Sequence, residues 1–369
     1  MVRRMAFRAR ALSRAVSGLS AIGAGPKKRP LTGTGSSPEG LAAPGARCQR
    51  ARSVWTGGGF PASAEAMRAA ARQAGHSPQG AVMTLLIAGR SGQLARALTA
   101  AAKARGLPAF ALGRSEMDLA DPASVRAAVA RLRPAIVINT AAFTAVDDAE
   151  TRKADAFAIN AAGAGALAAA AHGAGARLVH VSTDYVFGTG AGPRLEGDPV
   201  WPLNVYGASK LEGERRVAAA HPRALIVRTS GVFSATGQNF VTAMLRLAGT
   251  REEIGVVDDQ RTTPTPADAL AGLLLDLARD PRPYGLLHAA GMEAVSWAGF
   301  AQTIFEGARE RGLPHARVRP IPSSQFPRPA RRPADSALGS IRLRGLAGVD
   351  GLDWRAGLAR ALDALAAAR

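Results

Sequence analysis

The chain has 369 residues, is 47% hydrophobic and carries a formal net charge of +19. This length allows about two domains and a sizeable core. Its one cysteine, Cys48, excludes a disulfide framework and leaves the later residues without thiolate catalysis or cysteine metal sites. No charge-free apolar run reaches about 18 residues, so we expect no membrane span. These features favour a globular protein of a reducing, cytoplasmic compartment.

The positive charge is concentrated in residues 1–82. This segment carries 13 Lys and Arg against only Glu39 and Glu65, a net of +11. It shows no sustained hydrophobic period, so we expect a disordered basic extension. Three origins stay open, of which we favour a start codon assigned too far upstream, because "MTLLIAG" begins a strand at Met83. The others are an organelle transit peptide and a nucleic-acid-binding arm. Without this segment most of the support for a nucleic-acid partner disappears, so we expect none.

From Met83 onward, short apolar runs alternate with helical stretches. Strands are predicted in "TLLIAG", "PAFALG", "AIVINTAA", "ARLVHVSTDYVF" and "RALIVRTSGVF", and helices over 93–105, 122–132, 153–172 and the stretch with Lys210. This alternation predicts an α/β fold, a Rossmann-type doubly wound parallel sheet that binds ligands at the carboxyl ends of its strands. We expect an NAD(P)-binding domain over 83–229. A smaller substrate-binding domain would follow over 230–369, with some segments returning to the first.

The turn after the first predicted strand, "GRSGQLA", is typical of a dinucleotide site. Gly89 and Gly92 let the backbone turn tightly and approach a pyrophosphate at the start of a helix. The second predicted strand ends in Gly113 and Arg114, where NAD-binding proteins place a ribose-binding carboxylate, and Arg90 lies in the turn itself. Two guanidiniums without an acid favour the 2′-phosphate of NADPH, with NADH possible. The alternative is that both arginines are only solvated.

A tyrosine and a lysine stand four residues apart in "LNVYGASKLEGE". On a helix Tyr206 and Lys210 would share a face, so the ammonium could lower the pKa of the phenol. Upstream, "HVSTDYVF" places Ser182, Thr183 and Asp184 after the predicted end of a strand. A hydroxyl there could bind a substrate carbonyl beside Tyr206, although such a sequence can also simply cap a turn. Together the two motifs favour reductase chemistry.

The glycine turn, "NTAAFTAVDDAE", "STDYVF" and "VYGASK" resemble the extended short-chain dehydrogenase/reductases, and among them the dTDP-4-dehydrorhamnose reductase family. The resemblance covers residues 83–369 and continues through "RTSGVFSATGQNFVTAML", "VVDDQRTTPT" and "PIPSSQFPRPARRPADSALG". It implies an NADPH-dependent reduction of dTDP-4-dehydro-β-L-rhamnose to dTDP-L-rhamnose, a precursor of cell-surface polysaccharide. The implied partner is therefore a nucleotide-sugar, and a homodimer stays open.

The resemblance also implies individual roles. The catalytic hydroxyl, tyrosine and lysine of the family fall on Thr183, Tyr206 and Lys210. Cofactor contacts are implied at Gly89, Arg90, Gly92, Gln93, Leu94, Asp118, Leu119, Ala141, Ala142, Phe143, Val181, Tyr206 and Lys210.

Substrate contacts are implied at a second group of residues. Thr183, Asp184 and Tyr185 would contact the sugar. Arg331 and Arg332 lie in a proline-bracketed loop and are candidates for binding the nucleotide diphosphate, with two surface arginines as the equal alternative.

Two positions depart from the family pattern. Gly231 stands where a bulky tryptophan is usual, so one wall of the sugar pocket would be absent or supplied elsewhere. Some relatives use Mg²⁺, but Ala97 stands where an acid would be wanted, so we assign no metal. Two other functions stay open: a different nucleotide-sugar epimerase or dehydratase, disfavoured by tyrosine directly after "STD", and a non-catalytic regulatory subunit of the same fold.

A chain that begins at Met83 should fold and react like the full-length chain, because residues 1–82 lack a burial pattern. Thermal unfolding and turnover of both chains measure this. A clear loss of melting temperature or activity would show that the segment packs on the domain.

Overall fold

The computed structural model describes residues 83–369, and the predictions for residues 1–82, including Cys48, lie outside them. The strands are β1 (Leu85–Ala88), β2 (Ala109–Leu112), β3 (Ile136–Asn139), β4 (Arg177–Thr183), β5 (Leu225–Thr229), β6 (Val232–Phe233), β7 (Glu253–Val257), β8 (Arg261–Thr262), β9 (Thr265–Pro266), β10 (Gly285–His288), β11 (Val295–Ser296) and β12 (Arg317–Ile321).

The α-helices are α1 (Gln93–Ala104), α2 (Pro122–Leu132), α3 (Val146–Thr151), α4 (Lys153–Phe157), α5 (Ala164–Gly173), α6 (Val205–Ala220), α7 (Phe240–Ala248), α8 (Ala267–Arg279), α9 (Trp297–Glu310), α10 (Ile341–Ala347) and α11 (Trp354–Ala367). A π-helix spans Ala158–Gly163, and 3₁₀ turns span Asp184–Val186 and Ser323–Gln325.

Six parallel strands form the central sheet, in the order β10-β5-β4-β3-β1-β2. The order reverses at β1, which lies between β2 and β3, so a crevice opens at the carboxyl ends of β1 and β3. Ala88 is in register with Leu112 on one side and Asn139 on the other, which brings the loops after all three strands to one edge. The predicted doubly wound α/β fold is therefore confirmed.

Both faces of the sheet are covered. In β1, Leu85 and Ile87 pack into a core shared with α1 and α8, while Leu86 and Ala88 face a second core shared with α2, α5 and α6. A strand buried on both faces reads as a continuous apolar run, which is why "LLIA" shows no alternation.

The helix predicted over 153–172 is not regular. α4 is followed by the π-helix, which adds a residue to the turn before α5 begins. A β-carbon on Gly163, the last π-helical residue, would lie 2.2 Å from the carbonyl oxygen of Leu119, so the helix touches the loop after β2 directly. Residues 153–173 are the one described stretch long and apolar enough to span a membrane, but Leu167 and Ala171 pack in the sheet core, as in a core helix.

The later residues form a smaller lobe. Its short sheets pair β6 with β9, β7 with β12 and β8 with β11. Its core includes Phe233, Phe300 and Trp354, with α7, α9 and α11 around them. The strand β10 lies in the central sheet beside β5. The domain boundary at residue 229 stays a prediction.

We expect Gly213→Ala to destabilise the protein by about 1–3 kcal/mol, because its β-carbon would lie 2.1 Å from the carbonyl oxygen of Asn160. Urea unfolding measures the change in the free energy of unfolding. Gly173→Ala is the control, since nothing lies within 4 Å of its added β-carbon in α5. Equal stability of the two variants would contradict the close packing of α6.

Candidate active site

The turn after β1 has the geometry of a phosphate site. Gly89 adopts a φ of 106°, and an added β-carbon there would lie 2.9 Å from Thr140 Oγ1 in the loop after β3. Gly92 caps α1 without a side chain, and the first turn of α1 contains no acid. The N–H groups at the start of α1 therefore meet the ligand-binding edge without a competing side chain, which fits a dinucleotide pyrophosphate.

The two residues after Gly92 can contribute only through their backbone. Gln93 Nε2 donates to the carbonyl oxygen of Val232 at 2.8 Å, so this side chain joins α1 to β6. Leu94 is buried in the sheet core. Any pyrophosphate contact of Gln93 and Leu94 is thus made by N–H groups.

The end of β2 corrects one sequence interpretation. No acid was expected there, but Glu116 folds back and accepts from the N–H of Gly113 at 2.9 Å and from Arg90 Nη2. The backbone hydrogen bond and then the Arg90 contact lower the pKa of Glu116. Arg114 is exposed, with its Nε 3.8 Å from Asp118 Oδ1. Glu116 was not predicted, because it lies in the turn after β2 and not at the end of the strand, where the acid was sought.

The loop after β3 is held by a residue that sequence reasoning missed. Phe143 N donates to Asn160 Oδ1 at 2.7 Å, and Asn160 Nδ2 donates to Phe143 O at 3.0 Å and Ser209 Oγ at 2.9 Å. Ser209 Oγ in turn donates to Tyr206 O at 2.8 Å. The π-helix thus aligns the predicted cofactor loop of Ala141, Ala142 and Phe143 with α6.

The three predicted catalytic side chains lie together. β4 runs two residues further than predicted, so Ser182 and Thr183 are its last residues, and the Thr183 hydroxyl lies near enough to the Tyr206 phenol to lower its pKa. The Lys210 ammonium is buried and donates to the carbonyl oxygen of Val181 at 2.8 Å. A hydroxyl, a phenol and an ammonium therefore meet where β4 ends.

The pKa of the phenol differs from the sequence expectation. The pKa of Tyr206 is raised to about 12, mainly by burial; the Thr183 hydroxyl opposes the shift and the Asp184 charge adds to it. Burial lowers the pKa of Lys210 to about 8, although Glu214 opposes the shift. The expected depression of the phenol pKa is absent, because burial has the largest effect on Tyr206 and raises its pKa. At neutral pH the phenol keeps its proton.

Asp184 lies buried between the hydroxyl of Thr183 and the second lobe. It accepts from Thr183 Oγ1 at 2.9 Å and from Ser230 Oγ at 2.8 Å. Burial raises its pKa, and the hydrogen bonds of the surrounding serines and Thr183 oppose the shift. Asp184 therefore orients the Thr183 hydroxyl.

The two predicted diphosphate-binding arginines have different surroundings. Arg332 makes a bidentate contact with Asp147, at 2.9 Å from each nitrogen, and its guanidinium lies beside the Tyr185 phenol. The Tyr185 ring meets the Tyr206 ring edge-on, 5.9 Å between centroids. Arg331 is exposed, and its carbonyl oxygen accepts from Asn204 Nδ2 at 2.8 Å. Arg332 is thus tied to the wall of the site, while the Arg331 side chain stays at the surface.

Comparison with known proteins places this geometry in a family. The model of the RmlD substrate binding domain matches residues 83–367. The chain belongs to the dTDP-4-dehydrorhamnose reductase family. A dTDP-4-dehydrorhamnose reductase of Sinorhizobium fredii is 41% identical over 77% of this chain and 98% of its own. One of Mycobacterium tuberculosis is 46% identical over 76% and 92%.

A solved structure supports the same relationship. The dTDP-4-dehydrorhamnose reductase of Bacillus anthracis, in complex with NADP, is 34% identical, with a TM-score of 0.72 over 77% of this chain and all of that chain. The described residues therefore correspond to a whole reductase of this family.

This member of the dTDP-4-dehydrorhamnose reductase family has Gly231 at the position where a tryptophan was expected. Its φ is 53°, and an added β-carbon would lie 3.0 Å from Thr262 Oγ1 and 3.3 Å from Pro264 Cα. The left-handed backbone and close neighbours both favour glycine. Here the backbone of this segment packs directly on the loop between β8 and β9.

Two further residues of this reductase family member were not singled out from the sequence. Asn204 caps α6 by accepting from the N–H of Gly207 at 2.7 Å, which an asparagine just before a helix could have indicated. Glu214 accepts from Ser182 and pairs with Arg228. Its position four residues after Lys210, on the same helix face, could have indicated it in the sequence. Within residues 83–369 no group of three or more His, Cys, Asp or Glu side chains could hold a metal ion.

Proposed function

We propose that the chain catalyses the NADPH-dependent reduction of dTDP-4-dehydro-β-L-rhamnose to dTDP-L-rhamnose. The observation that carries the proposal is the meeting of Thr183, Tyr206 and Lys210 where β4 ends, on the same sheet edge as the Gly89 turn. The names of the relatives support the substrate, and the NADP complex of one of them supports the cofactor.

The side chains divide the work of such a reduction. When bound, the reduced nicotinamide supplies the hydride. The Tyr206 hydroxyl, protonated at neutral pH, donates a proton to the keto oxygen as that oxygen gains negative charge. Thr183, oriented by Asp184, would orient the carbonyl, and the buried ammonium of Lys210 would hold the nicotinamide ribose. Backbone N–H groups at the start of α1 hold the pyrophosphate.

The preference for NADPH rests on Arg90. Its guanidinium is half-exposed and hydrogen-bonds through Nε to the carbonyl oxygen of Ala111 at 3.0 Å, which fixes it beside the end of β2. Glu116 competes for this arginine and offers a carboxylate to an unmodified ribose. We propose that Arg90 and Arg114 favour NADPH and that Glu116 permits NADH. Residues 83–369 contain no cysteine and so no disulfide, which fits a reducing, cytoplasmic setting.

Tyr206→Phe should lower kcat by about 10²–10⁴ while NADPH binding stays close to normal, because only the proton donor is lost. Turnover with dTDP-4-dehydro-β-L-rhamnose, followed by NADPH absorbance, measures the effect. Tyr284→Phe is the matched control, since Tyr284 is exposed and follows α8. Turnover of Tyr206→Phe within about threefold of the parent would refute the mechanism and favour the regulatory-subunit alternative.

Replacing Arg90 and Arg114 by alanine should lower the ratio of kcat/KM for NADPH over NADH by about tenfold or more, through lost charge-assisted hydrogen bonds to the 2′-phosphate. Glu116→Gln should raise the ratio, because Arg90 loses its competitor. Arg126→Ala, which removes an exposed charge on α2, is the control. An unchanged ratio in the double alanine variant would contradict this role of the arginines.

A further inference from the structure

A buried ion pair lies beside the catalytic side chains. Arg228 of β5 donates from Nε to Glu214 Oε1 at 2.9 Å and from Nη2 to Glu214 Oε2 at 2.7 Å. The side chains are only 4% and 7% exposed. Ser182 Oγ donates to the same carboxylate at 2.5 Å. A single carboxylate thus joins α6, β4 and β5.

Stability alone gives a weak reason for this arrangement. Removing two charges from water costs several kcal/mol per ion, and an apolar pair of similar volume is often as stable. Elsewhere, apolar side chains fill the cores on both faces of the sheet. The place of the pair in the molecule therefore needs another explanation.

The spacing on α6 connects the pair to the reaction. Tyr206, Lys210 and Glu214 follow one another at intervals of four and lie on one helix face. Lys210 donates to the carbonyl oxygen of Val181, the residue before Ser182, and Ser182 donates to Glu214. The contacts form a closed ring from α6 to the end of β4 and back, immediately before Thr183.

We propose that Glu214 is a positioning residue, whose carboxylate keeps Lys210 charged and holds the end of β4 so that Thr183 meets Tyr206. The inference deepens the proposed function and rests on it for the roles of these three side chains. Glu214 itself does not touch the reacting atoms.

The charges around Lys210 leave this task to Glu214. On β4, His180 is neutral at pH 7, because burial and then the Lys210 charge keep its pKa well below the usual value. On β5, Arg228 is paired with Glu214, and Asp184 is bonded to Thr183 and Ser230. Burial lowers the pKa of Lys210 to about 8, and Glu214 is the group that raises it.

Glu214→Gln tests the charge on Lys210 directly. In the parent, NADPH affinity should fall as the pH rises through about 8, where Lys210 loses its proton. Without the carboxylate, this midpoint should move to lower pH by about one unit or more. Glu212→Gln makes the same chemical change two residues away, at a side chain paired with Arg216, and should keep the parent midpoint. The measurement is NADPH fluorescence titration from pH 6 to 10, a range on the order of two units either side of the midpoint.

Two further variants separate positioning from stability. Glu214→Asp retains the charge and should retain the parent midpoint. Ser182→Ala leaves the ion pair intact and removes only its connection to β4, so kcat should fall severalfold with KM and midpoint unchanged. These variants decide the matter if Glu214→Gln does not fold, because a parent-like kcat in Ser182→Ala would overturn the proposal. A folded Glu214→Gln whose midpoint lies within about 0.3 pH unit of Glu212→Gln would also overturn it.

The binding titration distinguishes this proposal from the proposed function. If the parent binds NADPH but does not reduce the keto-sugar, the reaction assigned above fails. The pH midpoints would still show whether Glu214 sets the charge of Lys210.

Discussion

The close approach of α6 to backbone carbonyl groups is the constraint on which the site depends. An added β-carbon on Gly207 would lie 2.1 Å from the carbonyl oxygen of Tyr185, and one on Gly213 equally close to that of Asn160. Any side chain at these two positions would push α6 away from the 3₁₀ turn after β4 or from the π-helix. Tyr206 directly precedes Gly207. Its phenol reaches the end of β4 because α6 approaches the turn after β4 this closely.

Burial is the common cause of the unusual ionisation in the site. It raises the pKa of Tyr206 and of Asp184 and lowers that of Lys210, so each group moves toward its neutral form. For a reduction this suits the phenol, which must carry a proton when the keto oxygen becomes basic. It works against the ammonium of Lys210, whose proposed role is to hold the nicotinamide ribose as a cation. The site therefore needs a negative group near Lys210, and α6 supplies one a single turn later.

Much of the fold and the centre of the site could be predicted because their signals are local. Strand–helix alternation, the Gly89 turn and the four-residue interval of Tyr206 and Lys210 are all visible within short stretches of sequence. The interval could not show where each side chain points, and Lys210 in fact bonds to the carbonyl oxygen of Val181. It also could not show that the phenol is buried, and burial moves the pKa of Tyr206 in the direction opposite to the one expected.

What could not be predicted depends on contacts between distant segments. Asn160 lies 49 residues from Ser209, and Arg332 lies 185 residues from Asp147, so neither pairing leaves a periodic signal. The π-helix that carries Asn160 arises in an alanine-rich stretch whose composition fits an ordinary helix. Only the packing against Leu119 and α6 selects the wider turn.

Several polar contacts at the site join residues before 230 to later ones. Gln93 at the start of α1 reaches Val232 of β6, Asn204 before α6 reaches the loop of Arg331, and Asp184 after β4 accepts from Ser230. Each contact begins at an element that carries a predicted cofactor or catalytic residue. The nucleotide turn, α6 and the later residues are thus fixed to one another by side chains as well as by β10, which lies in the central sheet. Each hydrogen bond of this kind contributes only about 1 kcal/mol to stability. These contacts therefore fix the relative position of the parts more than they stabilise the fold.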